Sequence, residues 1–425
     1  MPESKGKVSE ELARFHGTVE SGSLKELKQA LKSGIDVNAP GHFERTALMV
    51  AIAAKELEKM KLLIEHGADS ELTAAFNETA LRHAVEVDFA DGVRFLLGLG
   101  VDRGYHPKYP LKKVDYVSYL PEVGIPEGLK EVLSEEEWKE SIEEGRESMT
   151  ELGRNPKVEP MISDVQSVSV LRLFLEAGDD LNQAPTEVKR AYVGMSNGGD
   201  FQSSLEDYRK HKSPRYGIRN PERIDNLFWR DMIRLGCNAD AARQRFNDAE
   251  PLRKPGVVWC YDRFGSSLTQ LEDGRFVQIG GEHEDYYDPD FYIYNDVVIH
   301  DGKGNFQIYG YPQEVLPPTD FHTATLAREW LYIVGCLGYL EQRQEGRTPV
   351  YRLKLESWEI EAVKTSGDMP SWLHGHHSKY DAKKNVIHVA GGDIHVIGED
   401  ADLQIVPNDE QFELDLSSFQ WRNLK

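Results

Sequence analysis

Two short stretches concentrate side chains able to do chemistry. The first is Glu282-His283-Glu284-Asp285-Tyr286-Tyr287-Asp288-Pro289-Asp290, which bunches carboxylates around one imidazole. Such a bunch offers ligands to a divalent metal or counter-charges to a basic peptide. The plainer reading is an exposed loop kept acidic for solubility. Its paired tyrosines favour contact with a protein, because tyrosine is enriched at interfaces. The second stretch is Trp372-Leu373-His374-Gly375-His376-His377, with three imidazoles in four positions. A metal is the sharp reading there; packing and hydrogen bonding are the plain one. No phosphate loop, Gly-x-Ser-x-Gly elbow or His-Glu-x-x-His occurs. With no evident nucleophile or acid–base pair, the expectation is no catalysis, no cofactor and no metal.

Composition narrows the class. The chain has 425 residues, 40% of them hydrophobic, enough for two or three domains with cores. No apolar run reaches the length of about 18 that a membrane helix needs, and the first residues lack the apolar centre of a signal peptide. Cys237, Cys260 and Cys336 are scattered and odd in number, which suits a reducing cytosol. A net charge of −22 repels a phosphate backbone and steers basic partners. The expectation is a cytoplasmic protein that meets neither nucleic acid nor membrane.

The elements that must position these side chains repeat on two periods. Gly34, Gly67 and Gly100 each end an apolar helical pattern and lie 33 residues apart, as do Thr46-Ala47-Leu48 and Thr79-Ala80-Leu81. Gly178, Asp180 and Asn182 restore the spacing of Gly34, Asp36 and Asn38 after an interruption. Period, Thr-x-Leu and Gly-x-Asp together resemble the ankyrin repeat, with an alanine where that family favours proline and its histidine only partly kept. The resemblance implies a turn followed by two helices per repeat, and a fourth helical pair at 168–182. Ser134 and Glu137 have the form of a capping box opening an acidic helix at 135–152. Asn220-Pro221-Glu222 reads as a helix start, with a second helix from Asn238 to Phe246.

After Pro255 the hydrophobic period shortens to two. Three segments end on Gly280-Gly281, Gly335-Cys336 and Gly391-Gly392, 55 and 56 residues apart, and a strand-like Val257–Tyr261 precedes them. Each adds further strands and an aromatic close at Phe306, Trp358, or Phe419 with Trp421. This order resembles the kelch repeat, with His377 placed as the equivalent of His322 and a histidine missing at Ser266. That resemblance implies four-stranded blades and a structural role for the histidine. The iron and copper ligand sets of some kelch proteins are not reproduced here.

The resulting fold is a multidomain α and β chain: an ankyrin-like α-solenoid followed by a partial, three-blade kelch-like β-propeller. The divisions are a tail at 1–10, interrupted repeats at 11–194, a linker and helical cap at 195–254, and β-blades at 255–425. Because propellers close with ~4–8 blades, three must either form an arc covered by the helices at 222–246 or pair in a homodimer. The expected function is an adaptor or scaffold binding another protein, one with a basic surface. Phe43 and Phe76 at the repeat tips are the anchors, with Glu282, His283, Glu284, Asp285, Tyr286, Tyr287 and Asp288 as a second surface. For both phenylalanines, folding inward on the neighbouring turn stays open. Two other functions also stay open: a metal-dependent enzyme using the acidic and histidine loops, and a bacterial immunity-type neutraliser of a basic toxin.

Overall fold

A computed structural model describes residues 9–113, 142–143, 147, 150, 160–195, 198–248, 256–283, 290–397 and 403–424. The capping box at Ser134 and most of the helix expected at 135–152 lie outside the described residues. Chain contacts divide the protein into two compact units, 1–188 and 189–425.

In the first unit, local chemistry sets the helix boundaries. Helices α1 (Glu10–Ser21) and α2 (Leu24–Leu31) are capped by Ser9 and Ser23, the latter in a reciprocal box with Glu26. Thr46 and Thr79 cap α3 (Ala47–Ala53) and α5 (Ala80–Glu86) through Met49 N and Arg82 N. Their partners are α4 (Leu57–Glu65) and α6 (Ala90–Gly98). Gly34, Gly67 and Gly100 follow α2, α4 and α6 at φ 79°, 89° and 77°, a region costly to residues with a Cβ. Beyond them Asp36, Asp69 and Asp102 each accept a backbone N–H two residues on. Asn38 reaches Asp69 N (2.8 Å) and Gly67 O (2.9 Å), while Glu71 reaches Asp102 N (2.9 Å), so each turn is tied to the next. The core is the apolar seam of Leu27, Leu48, Ile52, Leu63, Leu81, Val85 and Leu96, all buried.

The fourth pair takes a different form from the one expected. A single helix, α7 (Val168–Glu176), packs on α6. The 3-10 turn Met161–Asp164 packs on α5, where a first helix would stand. The turn after α7 does keep the pattern, with Asn182 N donating to Asp180 Oδ1 at 2.9 Å.

The second unit begins with short helices: α8 (Thr186–Tyr192) leads into it and α9 (Leu205–His211) follows. Asn220 does not cap a helix. Its amide donates to Ile360 O (2.7 Å) and accepts from Ile360 N (2.9 Å), and Glu222–Ile224 is a strand, β1. The helix start lies six residues later, where Asn226 caps α10 (Leu227–Leu235) through Trp229 N; α11 (Ala239–Arg245) follows. Residues 257–261 are not a strand either: Trp259 stacks on Trp229 at 4.6 Å, and both are buried.

Three antiparallel sheets follow. The first orders β1, β7 (Phe306–Gly310), β6 (Val297–His300), β3 (Phe276–Ile279) and β2 (Ser267–Gln270). The second is β11 (Ile360–Ala362), β10 (Val350–Lys354), β9 (Trp330–Val334) and β8 (Thr323–Ala327). The third holds β19 (Gln420–Asn423), β18 (Gln411–Asp415), β15 (Val386–Ala390) and β14 (His377–Asp381), with β12 (Ser366–Gly367) added parallel to β19. Small ribbons β4 (Glu282–His283) with β5 (Tyr292–Ile293), and β13 (Trp372–His374) with β16 (Asp393–Ile397) and β17 (Leu403–Pro407), lie between sheet strands. Alternation along β9 explains how the sheets stack. Leu331 and Ile333 join one core with Val277 and Ile299, while Tyr332 and Val334 join another with Ile387 and Val389. The middle sheet is therefore apolar on both faces.

Candidate functional site

The tips of the first unit are built identically twice. Gly41 N donates to Arg45 O and Ala74 N to Glu78 O, both at 2.8 Å, closing a short turn. Within each turn a phenylalanine adopts the left-handed region, Phe43 at φ 54° and Phe76 at φ 62°. That conformation costs a residue with a Cβ about 1–2 kcal/mol. Phe43 is 56% exposed and Phe76 39%, so neither is folded into a core. Phe43 sets its ring edge-on to His42 at 4.3 Å.

A charged relay runs behind these tips. Arg45 lies 3.5 Å from Glu78, whose Oε1 is 2.6 Å from His83 Nδ1, and Glu86 is 3.7 Å from the same nitrogen. The His83 contacts are ion pairs rather than aligned hydrogen bonds. Glu78, then Glu86, raise the imidazole pKa to about 9, so it is a cation at neutral pH. Among the described residues this trio is the group whose geometry would admit a metal ion.

In the second unit the two stretches singled out from the sequence separate. Glu282 and His283 form β4, and residues 284–288 lie outside the described residues. His283 is buried with its Nε2 3.8 Å from Cys260 Sγ, so it faces the interior. The three clustered histidines also diverge. His376, not His377, is the counterpart of His322: His322 Nε2 meets Ser267 Oγ at 2.8 Å, and His376 Nε2 meets Thr323 Oγ1 at 2.9 Å. Ser267, Thr323 and His377 each open the first strand of their sheet, so the histidine's place is one residue earlier. Burial holds His322 and His376 down at about 4 and 3, as neutral side chains bonding one sheet to its neighbour.

His374 instead meets His395, a residue that no motif marks. One face of the β13–β16 ribbon carries Trp372, His374, Asp393 and His395, and the two imidazole rings are 5.2 Å apart. Arg343 acts electrostatically on both and on Asp320. Burial raises the Asp320 carboxyl above its ordinary value, opposed by bonds to Gly338 N–H and Glu282. Loops following all three glycine positions thus contribute to one polar cluster. Beside it lies a cavity of about 250 Å³ lined by Thr319, Cys336, Gln342, Tyr351 and Trp372 among others. Glu282, Asp320, Arg343, Asp393 and His395 are scattered over 114 residues, and no local spacing marks them.

Residues 15–104 match the family model for ankyrin repeats, in three copies. No curated protein matches the chain. Among the described residues no helix is long and apolar enough to cross a membrane.

Proposed function

We propose that this chain is a non-catalytic adaptor that recognises a partner protein through the tips of its ankyrin repeats. Ankyrin repeats indicate a protein-interaction role, and the observation carrying the finer reading is the paired exposure of Phe43 and Phe76. Two turns spend backbone strain to hold an aromatic ring in solvent at equivalent positions, the arrangement of an interface anchor. Three scattered cysteines, odd in number, suit the cytosol as its place of work.

The second unit reads as a kelch-like, three-blade scaffold. Three consecutive four-stranded meanders, their first strands side by side and linked by equivalent His–Ser/Thr bonds, support it. Strand β1 adds a fifth strand at the outer edge of the first sheet.

A photo-crosslinking amino acid placed at 43 or 76 in the full chain tests the recognition role. The same discrete adduct from both positions, absent when the probe sits at exposed Glu65, is expected. Adducts no different from those at Glu65 would overturn the reading.

A further inference from the structure

The turns described above are not bare: the chain leaving the third repeat folds back over them. Asp102 fixes its departure by accepting from Gly104 N (3.0 Å), Tyr105 N (3.2 Å) and His106 N (2.8 Å). Tyr105 then donates its hydroxyl to Asp179 Oδ1 at 2.7 Å. Farther on, Lys108-Tyr109-Pro110-Leu111-Lys112 crosses the second turn. Asp69 Oδ2 receives both the Tyr109 hydroxyl (2.6 Å) and the Lys108 ammonium (2.9 Å). The Lys112 ammonium bridges Glu44 Oε2 (2.7 Å) and Thr73 O (2.8 Å), from one turn to the next. Asn77 reads the Lys112 backbone in both directions, accepting from its N–H at 2.6 Å and donating to its C=O at 2.9 Å.

These contacts have the composition of a peptide-recognition site. Backbone pairing by Asn77 holds an extended chain of any sequence, and two carboxylates select the side chains. No residue from Tyr105 to Lys113 is buried. The Tyr105 and Tyr109 hydroxyl bonds are part-buried, but every contact made by Lys108 and Lys112 is solvent-exposed, a kind that contributes little to stability and exchanges readily. Pro107 and Pro110 bias the segment toward an extended form. Phe43 and Phe76 stay exposed beside it, leaving apolar surface that a longer ligand would cover.

We propose that the tips form a strip for extended basic peptides of the pattern Lys-Tyr-x-x-Lys, occupied in cis by residues 108–112, which a partner's segment must displace. The proposal rests on the tip-recognition reading and names its ligand chemistry. The acidity of the whole chain, net −22, favours the approach of such a peptide.

The test is fluorescence anisotropy of a labelled Lys-Tyr-Pro-Leu-Lys peptide with the full chain in low salt. Removing the cis occupant with Lys108→Ala, Tyr109→Phe and Lys112→Ala raises the competent fraction, and the apparent affinity is expected to rise about tenfold or more. Adding Glu44→Gln and Asp69→Asn to that variant should abolish binding. Hydrogen exchange across the ankyrin helices confirms that each variant is folded. As a second measurement, excess unlabelled peptide added to the unaltered chain should deprotect the Lys112 amide. Equal peptide affinity with and without the cis residues, or binding indifferent to positions 44 and 69, would overturn the proposal, as would unchanged Lys112 protection under excess peptide. Crosslinks at 43 and 76 that persist after such a failure would leave tip recognition standing and remove only the cis-occupied strip.

Discussion

Replacing His83 by glutamine removes a buried cation from the relay behind the tips, and its consequence has a sign fixed by pH. The imidazole is buried, 2.6 Å from Glu78 and 3.7 Å from Glu86, and these partners raise its pKa from 6.5 to about 9. A pKa raised on folding means that the folded state binds the proton more tightly. The stabilisation is complete below the unfolded value near 6.5 and is lost as pH climbs through about 9. At 1.36 kcal/mol per pKa unit, that interval corresponds to about 3 kcal/mol. Hydrogen-exchange mass spectrometry on α5 and α6, corrected for base-catalysed exchange, reads it directly. Between pH 6 and pH 9.5 the unaltered repeat unit should lose on the order of a hundredfold protection that His83→Gln does not lose. The variant should be the weaker protein at pH 6 and nearly equal at pH 9.5. A parallel decline in both proteins would refute the relay's assignment as an ion-paired cation.

Glycine positions should divide by what a Cβ would meet. Gly67 has open space but φ 89°, so Gly67→Ala should cost about 1 kcal/mol in urea unfolding of the repeat unit. At Gly335 a Cβ would stand 2.2 Å from Leu373 O, so Gly335→Ala should lower the melting temperature of the β unit well beyond the Gly67 effect. Trp229→Ala empties the space against Trp259 and should cost about 3–5 kcal/mol, read from denaturant midpoints by tryptophan fluorescence. Thr323→Val removes the partner of His376 Nε2 and should cost about 1–3 kcal/mol by the same method.

What could be read from the sequence was what short-range chemistry determines. Thr46 and Thr79 cap helices, Gly34, Gly67 and Gly100 end them, and Asp36, Asp69 and Asp102 close turns, each acting within a few residues of itself. Readings that depended on distant partners went astray. Asn220 looks like a helix cap until Ile360, 140 residues on, engages its amide. The histidine register slipped by one because the hairpins between first and second strands differ in length: Gln270 to Phe276 in the first sheet, Ala327 to Trp330 in the second, Asp381 to Val386 in the third. His322 stands 13 residues before Gly335 and His376 stands 15 before Gly391, so the glycine spacing alone does not single out His376 over His377. Arg343 acts on both Asp320 and His395 only because two loops and strand β16 share a neighbourhood, a fact with no local signature.

If the tips recognise a partner, losing both aromatic anchors must weaken the complex while leaving the chain folded. Once the partner crosslinked at positions 43 and 76 is purified, its dissociation constant is measured by calorimetry for the unaltered chain and for Phe43→Ser/Phe76→Ser. Phe43 is 56% exposed and Phe76 39%, and a melting curve of the double variant establishes that it is folded before affinity is read. An anchor's loss costs about 2 kcal/mol, so each substitution should weaken binding roughly 30-fold. Unchanged affinity in a folded double variant would contradict the account.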